Sequence, residues 1–485
     1  MKLVLSGHDE RYVVEQGMLS LFPGERPVYE PIGPEDDTWA VVSLREDDRC
    51  HVTVELCWRG RSLPCSLDVP LEGDAFQREG IRRRAIGRCF FLAAQQLTGH
   101  TPPWGMLTGV RPVKLPARAL LAGASPEEAR EELEREYYVS PARARLAVDC
   151  AQASAEARRS LKDDEVSLYI GVPFCPTRCA YCSFVSADVG RTLKLVEPYV
   201  EGLLREAEET GRVLRGLGLK VRTFYMGGGT PTTLSADQLD RLLSKCEEAL
   251  PLERCTEYTV EAGRPDTITR EKLEVLKAHR IGRISINPQT LEEHVLEAIG
   301  RRHTPGDIRT AWELARSVGF DCVNMDLIAG LPRDSVTGFA RSLEGVLAMD
   351  PENVTVHTLA LKKGSRLMEK GGTLPDGDEV TKMLDFSRKT LTTQGYIPYY
   401  LYRQKYMSGS LENVGWTRPG FESLYNIAMM EELHTVVSLG AGGVTKLIGG
   451  GRILRLTNPK FPQDYLSGLD RVLGQKRELE TFYQK

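Results

Sequence analysis

The stretch "SLYIGVPFCPTRCAYCSF", residues 167–184, runs from a strand-like segment directly into three cysteines, Cys175, Cys179 and Cys182. Its apolar start reads as a short buried strand. Then comes C-x3-C-x2-C, a spacing that lets one tight loop aim three sulfurs at a common centre. A structural zinc site needs a fourth ligand, and no nearby Cys or His supplies one; the next histidine is His294. A [4Fe–4S] cluster with one iron left free suits three thiolates better, because the open iron can bind a small molecule and pass it an electron.

Outward from this strand the chain repeats itself. Strand-like runs recur at 167–172, 223–228, 258–263, 283–289, 323–330 and 353–361, with helix-period segments between them. Several of those segments open with capping signatures: Ser235 with Gln238, Thr290 with Glu293, and Thr304-Pro305 with Asp307. Alternation of this kind predicts parallel βα units whose sheet is covered by helices. Six units fall short of a closed eight-fold barrel, leaving an open, partial (β/α)6 barrel or a doubly wound sheet. In both, chemistry gathers at the C-terminal ends of the strands. The cysteine loop, Gly227-Gly228-Gly229-Thr230, Glu261, Gln289 and Asp326 all fall at such ends.

Each of these residues also has a plain explanation. The glycine run could be a tight turn. Glu261 lies in an apolar strand and could pair with Arg264, while Gln289 and Arg301 could face solvent. Asp326, between Met325 and Leu327, is costly in an apolar strand without a partner. It is their convergence on consecutive strand ends that points to one site.

Before residue 160 the texture differs. "HVTVELCW" (51–58) alternates at period 2, and Ser125-Pro126 with Glu128 and Ser140-Pro141 mark helix starts. We expect an N-terminal α+β domain (1–160), a barrel domain (161–361) and a C-terminal mixed α/β cap (362–485) that holds a helix at 378–394. Hydrophobic residues make up 41% and charged residues 27% of the 485, as in soluble globular proteins. The net charge of −4 gives no sign of nucleic-acid binding. The arginines of "REGIRRRAIGR" (78–88) have the spacing of a solvated helix face. With no apolar run of membrane-spanning length and no secretory leader, a cytoplasmic location is expected. The 11 cysteines are then mostly free thiols.

The cysteine spacing, with Tyr181 before the last cysteine, resembles the radical SAM superfamily, in which S-adenosylmethionine fills the open cluster position. The combination "LYIGVPFCPTRCAYCSF", "MGGGTPT", "VEAGRPDTI", "GRISINPQT", "IGRRHT" and "MDLIAGLP" is similar to the oxygen-independent coproporphyrinogen-III oxidases, the HemN/HemZ group. "WGMLTGVRPVKL" (104–115) and "YYLYRQKYMSGSLENVGW" (399–416) resemble the HemZ branch.

This resemblance implies a radical SAM barrel and an oxidoreductase of porphyrin and heme biosynthesis, a coproporphyrinogen dehydrogenase. Cys175, Cys179 and Cys182 would hold the [4Fe–4S] cluster. Tyr169, Gly228 and Glu261 would contact the cluster-bound S-adenosylmethionine. Tyr181, Gly229, Thr230, Gln289, Arg301, Asp326 and Ala360 match positions that hold a second molecule, so one or two would bind. The implied reaction uses a 5′-deoxyadenosyl radical to turn porphyrinogen propionates into vinyl groups. Flavodoxin or ferredoxin would supply the electron.

Three departures bear on the substrate, one being that the N-terminal domain has no counterpart in the minimal enzyme. Ser183 and Phe184 stand where established members carry a further cysteine, and Gly171 stands where a histidine is usual. Two alternatives follow: heme delivery, as in chaperones of the same family, or radical chemistry on another substrate. Neither His357 nor His434 has the HNxxYW-type context expected of a chaperone.

Overall fold

The computed structural model describes residues 1–22, 24–182, 187–361, 365–369, 376–404 and 410–484. The chain packs as two compact units, the first over Met1–Val148 and the second beginning at Asp149.

The first unit is an α+β layer pair. Strands β1 (Lys2–Ser6), β2 (Trp39–Glu46), β3 (Arg49–Trp58) and β4 (Arg61–Pro70) form a sheet in that order. Only β1 and β2 run parallel; the other pairs are antiparallel. Val52, Val54 and Leu56 of β3 are buried, as the period-2 pattern requires, and belong to one core with Val14 and Met18 of helix α1 (Arg11–Leu21) and Ile86, Phe90 and Ala93 of helix α2 (Ala75–Thr98). Along that helix Arg82 pairs with Glu46, Arg83 with Glu10 and Glu79, and Arg88 with Glu136. Three of its arginines therefore face carboxylates, and Arg78 donates to Gly73 O.

The second unit is built on β5 (Glu165–Val172), β6 (Lys220–Gly228), β7 (Glu257–Glu261), β8 (Arg283–Ser285), β9 (Cys322–Ala329) and β10 (Asn353–Thr358). All five pairings between successive strands are parallel. The crossovers carry α3 (Val189–Gly216), α4 (Ala236–Ala249), α5 (Arg270–Ala278), α6 (Pro305–Val318) and α7 (Val336–Leu347). These six parallel strands and five crossover helices form the partial barrel. The expected capping boxes form at Ser235/Gln238 and Thr304/Asp307. The one expected at Thr290 and Glu293 does not: that short helix starts after Glu292 without a side-chain cap. Thr290 is instead drawn to the Ser342 hydroxyl at 3.1 Å.

The C-terminal segment enters the same sheet from both edges. Strands β11 (Ile397–Tyr402) and β12 (Asn413–Thr417) continue it beyond β10, and β13 (Val436–Leu439) lies parallel to β5. Strands β14 (Val444–Gly449) and β15 (Arg452–Thr457) complete an 11-stranded sheet in the order β11-β12-β10-β9-β8-β7-β6-β5-β13-β14-β15. The C-terminal helix expected at 378–394 spans Gly377–Thr393. A buried carboxylate ties this region down: Glu206 of α3 accepts from Gly440 N, Asn458 and Tyr465 and pairs with Lys476 at 2.8 Å. Among the described residues no helix is long and apolar enough to cross a membrane.

Candidate active site

Alternation along the central strands divides their side chains between two environments. On β9, Val323, Met325 and Leu327 are fully buried, while Cys322, Asn324 and Asp326 line a cavity. On β10, Val354 and Val356 are buried in the same way, and Asn353, Thr355 and His357 face the cavity. The strands are thus apolar toward the helices and polar toward the lumen. The cavity has a volume of about 410 Å³ and lies wholly within the second unit.

Its upper wall is the cysteine loop. All three cysteines line it, and among the described residues no three His, Cys, Asp or Glu side chains stand close enough to share a single metal ion. Backbone hydrogen bonds lace this loop to the glycine run: Gly229 N donates to Val172 O and Thr230 N to Phe174 O, both at 2.8 Å. A Cβ on Gly229 would sit 2.6 Å from Phe174 O, so only glycine allows that approach. Gly228 adopts φ +109°, a conformation that L side chains rarely take.

Two buried arginines fasten the loop from the other side. Arg301 donates to Asn287 O at 2.7 Å and to the Tyr181 hydroxyl at 3.2 Å. Arg264 grips Thr177 through its hydroxyl and carbonyl and reaches Cys179 Sγ at 3.7 Å. Burial would raise the Cys179 thiol, but Arg301 and Arg264 bring it below its ordinary value. Neither arginine is the solvated or Glu261-paired residue that local sequence allows. Arg264 pairs with Asp266, and Arg301 is 8% exposed.

Glu261 is held by neutral donors: the Tyr225 hydroxyl at 2.6 Å and Gly228 N at 3.3 Å. Burial pushes its carboxyl up to about 7; the Tyr225 hydrogen bond opposes this and nearby Asp326 adds to it. Asp326 goes the other way. Burial would raise it, but His357 together with hydrogen bonds from Asn324 and Thr355 holds it below the usual carboxylate range. Gln289 is buried with φ +68°, its N donating to Asp326 O at 2.8 Å. Strain of this sort clusters at ligand sites.

Three buried oxygens in the cavity, Gln289 Oε1, Asn287 Oδ1 and Thr259 Oγ1, have no protein hydrogen-bond partner. Orphaned acceptors are costly inside a protein. A donor-rich ligand would satisfy them. With three thiols above, a glycine bed beside them and ionisable carboxylates below, these residues fit a cluster and an amine- and hydroxyl-bearing cofactor.

Of the residues expected to hold the cluster or the cofactor, all but Tyr169 line this cavity, Ala360 included; Gly227 of the glycine run does not. Tyr169 lies behind it, its ring stacked on Tyr225 and Tyr425 and its hydroxyl 3.3 Å from where a Gly228 Cβ would be. Ser183 and Phe184 lie outside the described residues, as does part of the 399–416 motif. Sequence reasoning missed Thr259, Arg264 as a loop clamp, Asn287, His357 and Tyr402. The period-2 polar pattern Asn353, Thr355, His357 was the available signal.

This is the fold and ligand pattern of a radical SAM protein, and residues 169–343 match the Radical SAM superfamily. Over 499 aligned residues the chain is 37% identical to the oxygen-independent coproporphyrinogen-III oxidase-like protein HemZ of Bacillus subtilis (strain 168), covering 100% of this chain and 99% of the relative. It is 29% identical over 320 residues to heme chaperone HemW of Escherichia coli (strain K12), covering 65% of this chain and 79% of that one. Coproporphyrinogen III oxidase (HemN) from Escherichia coli, solved as a radical SAM enzyme, shares the fold: TM-score 0.53, 23% identity, 66% of this chain and 72% of that one. The chain therefore belongs to the radical SAM superfamily and, within it, to the coproporphyrinogen-III oxidase-like group of HemZ. Membership implies a [4Fe–4S] cluster and S-adenosylmethionine.

Proposed function

We propose that this chain carries out the oxygen-independent oxidative decarboxylation of coproporphyrinogen-III, turning two propionates into vinyl groups to give protoporphyrinogen IX. The observation that carries this reading is the single cavity in which three loop thiols, a glycine bed, Glu261 and three orphaned acceptors meet. Its likeness over the full chain to the HemZ relative supports the choice of substrate class.

Cys175, Cys179 and Cys182 would hold the cluster, with Arg264 and Arg301 stabilising sulfur charge beside Cys179. Gly228 and Glu261 would face a first cofactor molecule, and Tyr169 would act through Gly228 from behind. Tyr181, Gly229, Thr230, Gln289, Arg301, Asp326 and Ala360 would face a second. When bound, cluster and cofactor supply one-electron reduction and a hydrogen-abstracting radical. The protein's own share is to keep water out and hold the propionate in reach. Each propionate would give up one hydrogen atom to the 5′-deoxyadenosyl radical, then carbon dioxide, and one electron to an external one-electron acceptor; a small electron carrier such as flavodoxin or ferredoxin would reduce the cluster. In this scheme residues 1–160 act as an accessory domain, 161–361 as the barrel and 362–485 as the cap.

The test is anaerobic. The protein is reconstituted with iron and sulfide, reduced and given S-adenosylmethionine and coproporphyrinogen-III, and 5′-deoxyadenosine and protoporphyrinogen are quantified together. Both products should form, and neither with Cys179→Ala. The likeness to HemW favours heme delivery as the second reading. Stoichiometric heme binding without either product would put it first.

A further inference from the structure

With the cluster loop and the expected cofactor contacts accounted for, the cavity still holds His357 and Tyr402 on its lining. His357 is the uppermost inward residue of β10, and Tyr402 ends β11. His357 Nε2 stands 3.6 Å from Asp326 Oδ2, and its Nδ1 stands 3.5 Å from the Tyr402 hydroxyl. Both separations exceed the usual 2.7–3.2 Å of a firm hydrogen bond. Asp326 itself is anchored, since Asn324 donates to its other oxygen at 2.7 Å. The histidine side chain keeps 28% of its exposure, so one ring edge is open to the cavity.

The other cations that line this cavity spend most of their donors elsewhere, Arg301 keeping one buried Nε without a protein partner. Arg264 is bound to Asp266 and Thr177, and Arg301 to two carbonyls and Tyr181. Arg283, deeper in the lumen, is bound to Phe421 O and Asn353. Burial raises the Tyr402 phenol, so it stays a donor. In the imidazolium form both ring nitrogens donate. One faces Asp326, and the other stands beside the Tyr402 hydroxyl. Two donors about 3.5 Å apart, each able to form a charge-assisted bond, match the two oxygens of one carboxylate.

We propose that His357 and Tyr402 form a carboxylate-binding subsite, with Asp326 as the positioning residue behind the imidazole. Two ligands of the proposed reaction carry such a group: the propionates of the tetrapyrrole, and the methionyl end of a second S-adenosylmethionine. The first source rests on the reaction proposed above; the second does not.

The experiment uses the anaerobic, cluster-loaded protein and reads binding, not turnover. Coproporphyrin III and its tetramethyl ester are titrated by fluorescence, and S-adenosylmethionine stoichiometry and Kd are measured by equilibrium dialysis. His357→Gln and Tyr402→Phe, the latter removing a single oxygen, should each weaken the free acid about 10-fold or more and leave the ester unchanged. Asp326→Asn is read against coproporphyrin and its ester alone, because Asp326 is also placed against the second S-adenosylmethionine; it should show the same acid-selective loss, which a merely structural role would not produce. If the variants instead lose the second equivalent of S-adenosylmethionine and keep the porphyrin, the subsite stands and its ligand is the cofactor's carboxylate. Equal loss of acid and ester, or no loss of any ligand, overturns it. If the wild-type protein binds no coproporphyrin, the tetrapyrrole reading falls, and the subsite is then decided by the dialysis alone.

Discussion

Arg264 donates to the sulfur of Cys179 across 3.7 Å while Asp266 holds its Nε at 3.1 Å. A guanidinium is thereby fixed beside a candidate cluster ligand, and through Thr177 it also shapes the loop that carries that ligand. Arg264→Met should cut the iron and sulfide retained after reconstitution several-fold. Arg264→Lys, keeping charge without the planar fork, should fall between the two. Iron and acid-labile sulfide per chain give the answer.

The three loop cysteines should be individually indispensable. Cys175→Ala, Cys179→Ala or Cys182→Ala should abolish the cluster's visible absorption and the release of 5′-deoxyadenosine. The far-ultraviolet circular dichroism should stay unchanged, because the sheet and helices beneath the loop do not depend on it. Loss of helical signal would instead assign the cysteines a structural role.

Glu261 sets a pH dependence for cofactor binding. Its folded carboxyl titrates at about 7, above the 4.5 of an exposed glutamate, so below neutral pH it is mostly protonated. Binding of a cationic cofactor should tighten as pH rises from 6 to 8, and Glu261→Gln should flatten that rise. For stability the sign is reversed. The folded state holds the extra proton between 4.5 and 7, so ionisation there costs stability as pH rises. The variant removes this cost as well. Calorimetric titration across pH and thermal melts report the two effects separately.

His434 should govern acid stability. Its Nε2 lies 2.7 Å from Ser167 Oγ, and burial, then Arg158 and Arg222, lower it from 6.5 to about 4. The unfolded chain therefore binds a proton that the folded chain refuses between those values. Stability falls as pH drops through that window, by a total of about 3 kcal/mol at one site. Urea midpoints at pH 7 and pH 4.5 should differ less for His434→Gln than for the unaltered protein.

Gly229→Ala tests the glycine bed. Its Cβ would meet Phe174 O at 2.6 Å and Val172 O at 2.9 Å, both backbone atoms that cannot swing aside. A loss of about 1–3 kcal/mol in stability is expected, together with weaker S-adenosylmethionine binding. An unchanged melting temperature would show that the loop has room to shift.

The sequence by itself determined the βα repeat, the approximate strand positions and the cysteine loop. Those features are local: periodicity, capping residues and ligand spacing are set within a few residues of chain. The strand expected over 283–289 stops at Ser285, so Gln289 lies beyond it, and Asp326 falls inside Cys322–Ala329, with only Glu261 ending its strand. The local signal at Thr290 failed too, because the Ser342 hydroxyl, 52 residues away, claimed its side chain. Tertiary structure alone decided who partners whom. Arg264 was near enough in sequence to pair with Glu261, yet the fold turns it onto Asp266, Thr177 and Cys179, leaving Glu261 to neutral donors. The C-terminal strands join the barrel sheet on both of its edges, a long-range pairing that no short stretch encodes. The same holds for His357, Tyr402 and Asp326, three residues from three strands. They meet only because strand order makes β9, β10 and β11 share one sheet; Asp326 sits opposite Thr355 in the register and His357 opposite Ile328, one inward position further along.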